Sequence, residues 1–366
     1  MPHALQLLAG PRALSILHEK GFHPADVDIV AGASGGPKWL VLSGLDRVLF
    51  PQLAAATRDR PLHLVGSSIG SWRMACLAQH DPVAAIARFE QAYINEQRYS
   101  RKPSPAEVSR VSRELLDALL GVEGEQEILS NTARHLHVVT ARSRGLAARA
   151  SRAPQLAALA LAALGNAMHR RSLRWQFERV IFDTAGDASP FRALADFPTR
   201  HVALTRNNLG GALLASGSIP LVLEGVRIPD APRGVYRDGG VIDYHPDIDF
   251  GEGEGLVLYP HFYPHIVPGW FDKSLRWRKA HAANFDRALL LAPTAEFIAG
   301  LPGGRIPDRR DFYRYSERER IDAWRRVCDA SRRLGEEFGE LVASGRWTEC
   351  VQPWPGTGSA RSNGQD

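Results

Sequence analysis

Cysteine is scarce in this sequence. Its 366 residues include three cysteines, Cys76, Cys328 and Cys350, which lie far apart. Disulfide frameworks and zinc knuckles need cysteines at paired, close spacing, so neither is expected, and a reducing compartment suits this composition. No group of His, Asp and Glu has the spacing of metal ligands either. We therefore predict a protein that uses no metal and no cofactor.

Long apolar runs are missing as well. The longest helix-like apolar stretch, 156–164, is about half alanine and is too short to span a bilayer. The first residues lack a basic region, and Pro11 and Arg12 interrupt their apolar run, so no secretory signal is predicted. Together these absences predict a cytoplasmic location.

The sequence contains no long run of residues with the same charge. The formal net charge is +5 at pH 7, but no basic stripe alternates with aromatic side chains, so we expect no nucleic-acid partner. One segment, 142–179, carries arginines on both sides of the apolar stretch. They are Arg142, Arg144, Arg149, Arg152, Arg170, Arg171 and Arg174. Such a segment is typical of a peripheral membrane contact, and a surface helix packed on the protein is the alternative.

What the sequence does contain is an alternation of short apolar runs with helical periodicity. Strands are predicted over 27–31, 62–65, 136–140, 201–205, 226–228 and 255–259. Helices are predicted over 4–20, 39–50, 71–79 and 316–345, and the region 83–130 is mostly helical by its pattern. This alternation predicts an α/β protein with a mainly parallel central sheet.

A Gly-x-Ser-x-Gly turn, Gly66-Ser67-Ser68-Ile69-Gly70, lies between the predicted strand at 62–65 and the helix after it. In a nucleophile elbow the serine stands at the apex of a strained strand-to-helix turn. Gly66 and Gly70 have no Cβ, which lets strand and helix approach closely. Ser68 is therefore the candidate nucleophile. A chance match of so short a motif is the alternative.

A second glycine-rich turn, 32–38, follows the first predicted strand and is a candidate oxyanion loop. Gly35 and Gly36 could present backbone N–H groups to a developing negative charge. A phosphate-binding loop is excluded, because Pro37 stands where glycine is required and Trp39 replaces the Ser or Thr that binds magnesium. A turn whose glycines serve geometry alone is the alternative.

The turn Asp238-Gly239-Gly240 supplies a candidate base. A carboxylate that is hydrogen-bonded directly to the serine could accept its proton without a histidine. The alternative is an ordinary Asp-Gly turn, since this dipeptide is a common turn signal.

A Ser–His–Asp triad is the competing arrangement. The chain order would allow Ser68, then Asp238, then one of four histidines: His245, His261, His265 and His281. The early position of Ser68 argues against a triad, because an α/β-hydrolase fold places several strands before its elbow. Only about two strands are predicted before residue 68.

In this order, the motifs resemble the patatin-like phospholipase family. The matching pieces are Gly-Gly-Pro-Lys at 35–38, the elbow at 66–70 and the Asp-Gly-Gly turn at 238–240, with Ala-Ser-Gly-Ser-Ile-Pro at 215–220. Together they cover about residues 27–250. The resemblance implies a three-layer α/β/α fold with a mainly parallel sheet. It also implies calcium-independent cleavage of acyl esters in phospholipids or other lipids.

Carried over residue by residue, the resemblance implies that Ser68 is the nucleophile and Asp238 the base of a Ser–Asp dyad. Gly35 and Gly36 would lie in the oxyanion loop, with Lys38 at its basic position. The alternatives are an acyltransferase or thioesterase that forms the same acyl-enzyme, and an inactive lipid-binding scaffold.

The sequence also departs from the family pattern. Ser34 and Trp39 stand where the family has a glycine and a small residue, and His245 replaces an asparagine before Pro246. These changes bear on the shape of the substrate more than on the dyad.

The expected organisation has three parts. A helical extension covers 1–26 and a patatin-like hydrolase domain covers 27–350, with its motifs in 27–250 and a helical and aromatic part in 251–350. A disordered tail is predicted over 351–366, where Pro, Gly and Ser accumulate. The extension and the region after 260 are expected to supply a lid or pocket wall.

Overall fold

The structure, a computed structural model, describes residues 3–56, 59–149 and 151–355. These residues form an α/β fold around one mixed, mostly parallel sheet. The strands are β1 (Leu5–Ala9), β2 (Val27–Gly32), β3 (Leu62–Ser67), β4 (Arg134–Ser143), β5 (Phe177–Asp183), β6 (Thr199–Ala203), β7 (Val235–Asp238), β8 (Leu256–Pro260), β9 (Ala288–Pro293) and β10 (Val351–Pro353). The helices are α1 (Pro11–Lys20), α2 (Ser43–Ala55), α3 (Ile69–Ala78), α4 (Pro82–Asn95), α5 (Pro105–Leu120), α6 (Gly124–Ser130), α7 (Arg152–Met168), α8 (Leu209–Ser216), α9 (Ala295–Ala299), α10 (Asp311–Arg314), α11 (Glu317–Ser344) and α12 (Trp347–Cys350).

The strand order is β10-β1-β9-β8-β2-β3-β4-β5-β6, and β7 pairs with β4 outside this path. The central strands β9, β8, β2, β3 and β4 run parallel to one another. Three pairings are antiparallel: β1 with β9, β4 with β5 and β4 with β7. Parallel strands end at one edge of the sheet, so the loops after β2 and β3 lie side by side there.

The most regular sequence patterns are confirmed. The predicted strands at 27–31, 62–65, 136–140 and 255–259 are β2, β3, β4 and β8. All residues of β2 and β9 are buried, as expected for central strands with both faces covered. The predicted helix over 316–345 is α11, which begins with a capping box between Ser316 and Glu319 and ends at Gly345 in the left-handed conformation.

The helix pair α2 and α11 packs unusually closely. A Cβ on Gly44 would lie 2.3 Å from the carbonyl carbon of Ser331, and a Cβ on Gly335 would lie 2.4 Å from the carbonyl oxygen of Gly44. Backbone therefore touches backbone at this crossing. Any larger side chain at either glycine would force the two helices apart.

The predicted helix over 4–20 is wrong in its first part. Residues 5–9 form β1, which pairs with β9 and β10, and α1 begins only at Pro11. A short leucine-rich run suits a strand or a helix equally well by its pattern. The sheet partners, which lie far away in the chain, decide the outcome. This part of the predicted extension therefore belongs to the central sheet.

The disordered tail predicted over 351–366 is wrong at its start. Val351–Pro353 form β10, whose register partners in β1 are Leu7, Leu8 and Ala9. Pairing with an edge strand orders a Pro-containing segment that shows no strand pattern of its own. The predicted tail from 356 to 366 lies outside the described residues.

Other strands differ from the predictions. The strand predicted over 226–228 is reduced to a single bridge between Val226 and Tyr236. Strands β5, β7 and β9 were not predicted. The apolar pattern of β5 is interrupted in the sequence by two charged residues, Glu178 and Arg179, which are both buried in the structure.

The basic segment 142–179 contains α7, whose bounds enclose the predicted apolar stretch 156–164. Within the described ranges, no helix combines the length and apolar character needed to cross a membrane.

Candidate active site

Ser68 lies at the apex of a sharp turn between β3 and α3. Its backbone has φ 54° and ψ −131°. A positive φ is strained for a residue with a Cβ and persists only where the surrounding structure holds it. This conformation is typical of the serine in a nucleophile elbow. The strand–turn–helix context predicted for Ser68 is therefore present.

Close backbone contacts shape this elbow. A Cβ on Gly66 would lie 2.5 Å from the carbonyl carbon of Gly70, and a Cβ on Gly70 would lie 2.1 Å from the carbonyl oxygen of Gly32. Gly32 and Gly66 are register partners at the ends of β2 and β3. The first turn of α3 therefore rests on the ends of two parallel strands, and only glycine fits at these positions.

Asp238 is hydrogen-bonded directly to the elbow serine. Ser68 Oγ donates to Asp238 Oδ2 at 2.9 Å, and the Gly240 N–H donates to Asp238 Oδ1 at 2.7 Å. Both side chains are almost buried, with residue exposures of 4% for Ser68 and 6% for Asp238. Gly240 thus orients the carboxylate, which leaves its other oxygen to Ser68.

The pairing of β4 explains why these two distant residues meet. One edge of β4 pairs with parallel β3 as far as Val139 and with antiparallel β7 from Thr140 onward. The opposite edge is taken by β5. β3 and β7 therefore run toward each other along the same edge. Their carboxyl ends, Ser67 and Asp238, lie opposite adjacent residues of β4.

Burial raises the pKa of Asp238 above its ordinary value of 3.8. The positive charge of Arg309, the Gly240 N–H, the Ser68 hydroxyl and the charge of Lys273 all act in the opposite direction. Because the burial effect is larger, the carboxylate holds a proton more tightly than an exposed aspartate does. A raised pKa makes Asp238 a stronger base.

The glycine-rich loop after β2 lies against the elbow and the Asp-Gly-Gly turn. Ser34 Oγ is 2.7 Å from Ser67 Oγ and 3.2 Å from the Ser67 carbonyl oxygen. A Cβ on Gly240 would lie 2.6 Å from Ser34 Oγ. Gly239 is equally confined, since its Cβ would lie 2.2 Å from the Val139 carbonyl oxygen. The structure thus brings together all three predicted motifs.

Three backbone N–H groups of the elbow and the glycine-rich loop are candidate oxyanion donors. No acceptor among the described residues bonds the N–H of Gly35, Gly36 or Ile69. Gly36 begins a short 3₁₀ turn over 36–42, and Ile69 begins α3. The first N–H groups of a helix have no partner within it and attract negative charge. Ile69 was not singled out from the sequence, although the residue after an elbow serine commonly supplies such a donor.

Lys38 does not point at the dyad. Its Nζ donates to the Tyr263 hydroxyl and lies 4.4 Å from the centre of the Tyr263 ring. Phe262 packs on the same loop, because a Cβ on Gly35 would lie 2.7 Å from its ring carbons. The aromatic segment after residue 260 therefore lies against the glycine-rich loop, where a pocket wall was predicted.

Positive charges lie on the solvent side of the dyad. Arg309 Nε would be 3.2 Å from a Cβ on Gly36, and Lys273 Nζ lies 4.0 Å from the centre of the Tyr244 ring. Neither these two cations nor Lys38 has a carboxylate within 4.0 Å in the described part of the chain. Partial burial, followed by the charges of Arg309 and Lys38, lowers the pKa of Lys273 to about 7. Sequence reasoning missed Arg309 and Lys273, which belong to no motif.

None of the described histidines is hydrogen-bonded to Ser68 or Asp238, so the triad alternative finds no support. Nδ1 of His245 accepts the Val267 N–H at 2.9 Å, and Nδ1 of His261 accepts the Tyr263 N–H at 2.9 Å. The two rings pack edge to face at 4.3 Å. Burial lowers the pKa of both, to about 3 for His261. They are neutral packing groups behind the glycine-rich loop.

Ser34 and Trp39, where the sequence departs from the family pattern, are both buried. Trp39 is fully buried and stacks on Phe89 with ring centres 4.5 Å apart. Ser34 is also buried and ties its loop to Ser67. Both residues therefore act on the packing beneath the site.

A buried ion pair anchors the chain just after the Asp-Gly-Gly turn. Arg179 Nε and a terminal nitrogen contact the two carboxylate oxygens of Asp243 at 2.7 and 2.8 Å, and Asp196 contacts the same guanidinium. Burial alone would lower the pKa of Arg179, but the two carboxylates outweigh burial and raise it. Ser67 Oγ donates to the Asp243 carbonyl oxygen, which links this anchor to the elbow. A charged residue inside the apolar run of β5 was the only sequence signal.

A second buried pair holds the elbow helix. Arg73 of α3 donates from Nε and from a terminal nitrogen to both oxygens of Asp46 in α2, at 2.8 and 2.7 Å. Both side chains are inaccessible to solvent. These two hydrogen bonds hold the orientation of α3 relative to α2, and therefore the orientation of the elbow at the start of α3.

A cavity of about 590 Å³ lies away from the dyad. Its lining includes Arg12, Glu254 and Arg287, near the amino ends of β8 and β9. The dyad lies at the opposite, carboxyl edge of the parallel strands. This cavity is therefore separate from the candidate site.

In the part of the chain that the structure describes, no group of three or more His, Cys, Asp and Glu is arranged to hold a metal ion. The site consists of a serine, a carboxylate and N–H groups without an acceptor. The positive charges of Arg309 and Lys273 lie at its solvent-facing edge, which we call the rim. Comparison of the whole sequence with protein-family models and with curated proteins gives no match.

Proposed function

We propose that this protein is a serine acyl hydrolase of the patatin-like kind, which cleaves acyl esters of lipids. The observation that carries the proposal is the 2.9 Å hydrogen bond from Ser68 Oγ to Asp238 Oδ2, made by a serine with φ 54°. A carboxylate in direct contact with the hydroxyl needs no histidine between them. The proposal includes the three-layer α/β/α arrangement of that family and a cytoplasmic location.

Acylation begins when Asp238 accepts the Ser68 proton while Ser68 Oγ attacks the ester carbonyl carbon. The carbonyl oxygen becomes an oxyanion, which the N–H groups of Gly35, Gly36 and Ile69 stabilise. The bond to the alcohol then breaks, and the alcohol leaves with the proton from Asp238. In the second half, water gives its proton to Asp238 and attacks the acyl carbon. Ser68 departs, regains the proton, and the fatty acid is released.

The rim cations favour an ester that also carries an anionic group. Lys273 and Arg309 lie close enough to Asp238 for their charges to lower its pKa, and neither has a carboxylate partner among the described residues. A phosphate or carboxylate near the scissile bond would find two cations there that have no carboxylate partner.

The proposal is tested with p-nitrophenyl esters of short acids and with variants of the dyad. We expect Ser68→Ala and Asp238→Asn each to lower kcat/KM by at least about 10³-fold in folded protein. Ser112→Ala is the matched control, because Ser112 lies in α5 and bonds only the Val108 carbonyl oxygen. Turnover of either dyad variant at the level of the control would overturn the dyad.

Covalent labelling and product analysis separate the alternatives. A fluorophosphonate should label Ser68 alone, as read by mass spectrometry of peptides, and should fail to label the Asp238→Asn variant. Folded wild-type protein that is not labelled would indicate a non-catalytic scaffold. Transfer of the acyl group to an added alcohol or thiol in preference to water would indicate an acyltransferase. A lipid panel, with Ser68→Ala as its blank, then identifies the preferred ester.

A further inference from the structure

Helix α7 buries polar side chains and exposes large apolar ones. Two of its polar side chains, Gln155 and Asn166, are buried, together with the small residues Ala158 and Ala162. Its large apolar side chains face solvent instead, with exposures of 53% for Leu161, 68% for Leu164 and 88% for Met168, and Leu156 lies on the same side. A surface helix normally shows the opposite arrangement.

The inverted orientation is held by specific contacts. Asn166 Nδ2 donates to Asp272 Oδ1 at 2.6 Å, and Gln155 Oε1 accepts from a guanidinium nitrogen of Arg237 at 3.2 Å. Ala158 and Ala162 belong to a small apolar cluster with Val241 and Ile242. The outward leucines are therefore a consequence of how α7 is anchored.

The surroundings of the apolar face are positively charged. Between residues 131 and 177 the sequence contains no Asp or Glu. Arg149, Arg152, Arg171 and Arg174 have no carboxylate within 4.0 Å in the described ranges. A cavity of about 340 Å³ beside the end of α7 is lined by Arg171, Arg174 and Trp175, with His169 and Ser172. Trp175 is itself 69% exposed.

We propose that the outer face of α7 and the turn 170–175 docks on an anionic lipid surface. The leucines and Met168 would enter the boundary between headgroups and acyl chains, and Trp175 would lie at the headgroup level. Arg171 and Arg174 would bind headgroup phosphates at the cavity. Charge complementarity selects this occupant over a second copy of the chain, because two such basic faces would repel each other.

The docking face is connected to the candidate active site. Val241 and Ile242, on which α7 packs, follow the Asp-Gly-Gly turn directly. Asp272, the partner of Asn166, precedes Lys273 at the rim. A lipid surface at α7 would therefore contact a helix that packs on the chain directly after the Asp-Gly-Gly turn. Binding itself requires no turnover, so its test is independent of the proposed hydrolase activity.

The test is flotation of the full chain, in a Ser68→Ala background, with vesicles of phosphatidylcholine alone or mixed with phosphatidylglycerol. We expect binding to the mixed vesicles that weakens as salt is raised. Two double variants, Leu161→Ser with Leu164→Ser and Arg171→Glu with Arg174→Glu, should each lose about ten-fold or more in vesicle affinity. Circular dichroism and thermal unfolding check that the variants fold.

The matched controls are changes of the same chemistry elsewhere. Val122→Ser removes an apolar side chain that is 96% exposed, and Arg318→Glu with Arg326→Glu reverses two exposed charges on α11. These variants should bind as the parent protein does. Equal binding to both vesicle types, or α7 variants that bind like the controls, would overturn the proposal. So would a lipid-free dimer that Leu161→Ser with Leu164→Ser converts to a monomer, because the face would then bind a second copy.

Discussion

The Ser216 hydroxyl accepts the backbone N–H of Ser68 at 2.8 Å and donates to the Val139 carbonyl oxygen at 2.7 Å. It therefore bridges the strained elbow residue and β4, the strand that also aligns β3 with β7. Ser216 ends α8, far from Ser68 in the chain. The candidate nucleophile is thus held by a side chain that takes no part in the proposed chemistry.

Ser216→Ala should lower kcat for a short ester more than it lowers protein stability. The change leaves the Ser68 N–H without its acceptor, which costs about 1–3 kcal/mol, and frees the strained turn. Ser218→Ala is the control, because its hydroxyl is also buried and donates to the Leu214 carbonyl oxygen at 2.8 Å without touching Ser68. Both are compared by kinetics and urea unfolding. Equal kcat for the two variants would contradict a positioning role for Ser216.

The activity should rise with pH through an apparent pKa above the ordinary 3.8 of aspartate, because Asp238 must be ionised and burial raises its pKa. Arg309→Gln should move this acid limb of kcat/KM to higher pH, since the Arg309 charge is the main influence that lowers the pKa of Asp238. The measured quantity is the apparent pKa of this acid limb and not the maximal value of kcat/KM. Arg318→Gln, which changes an exposed residue of α11, should leave the limb in place.

Asp238→Asn should be more stable than the wild type at neutral pH although it is inactive. The folded pKa of Asp238 is above its unfolded value of 3.8, so the folded state binds the proton more tightly. The stabilisation that the protonated Asp238 contributes is therefore fully present below pH 3.8 and is lost as the pH rises through the folded pKa. The urea midpoint of the variant should exceed that of the wild type at neutral pH and converge with it in acid. A lower midpoint at neutral pH would show that the ionised carboxylate stabilises the fold.

Lys273 should make the binding of an anionic ester depend on pH. Its pKa of about 7 means that it loses its charge as the solution passes from weakly acidic to weakly basic. KM for a p-nitrophenyl ester of a dicarboxylic acid should therefore rise above about pH 7, whereas KM for a neutral ester of similar length should not. Lys273→Met should remove the difference between the two esters. The same pH dependence in that variant would show that another group controls it.

Removal of Arg73 should be among the most destabilising changes near the site. Arg73→Met leaves the buried carboxylate of Asp46 without its partner, and we expect a loss of about 3–5 kcal/mol in the free energy of unfolding. The double change Arg73→Met with Asp46→Leu removes both charges and should recover much of that loss. Urea unfolding measures both. A double variant no more stable than Arg73→Met would mean that packing, and not the unpaired charge, sets the loss.

The candidate site could be predicted from the sequence where its geometry is local. Gly66, Ser68 and Gly70 occupy consecutive turn positions, and the backbone there depends mainly on which residues lack a Cβ. The glycine-rich loop and the Asp-Gly-Gly turn are recognisable for the same reason. Arg309 and Lys273 could not be found this way, because each reaches the rim from a segment with no motif.

The limits of pattern reading are clearest at the sheet edges and in α7. The short apolar runs of β1 and β9 suit a strand or a helix, and only their mutual pairing selects the strand. In α7, periodicity indicates an amphipathic helix but not which face is outward. Partners far along the chain, Asp272 and Arg237, turn its polar side chains inward.

By itself, the sequence determined that a strained serine turn would form after a buried strand, because that conformation is set by neighbouring residues. It also determined the glycine turns on either side of that motif in the chain. Only the tertiary structure decided that Ser68 meets Asp238, 170 residues away. The physical reason is β4, a single strand whose one edge receives β3 and β7 from opposite directions and so brings their carboxyl ends together.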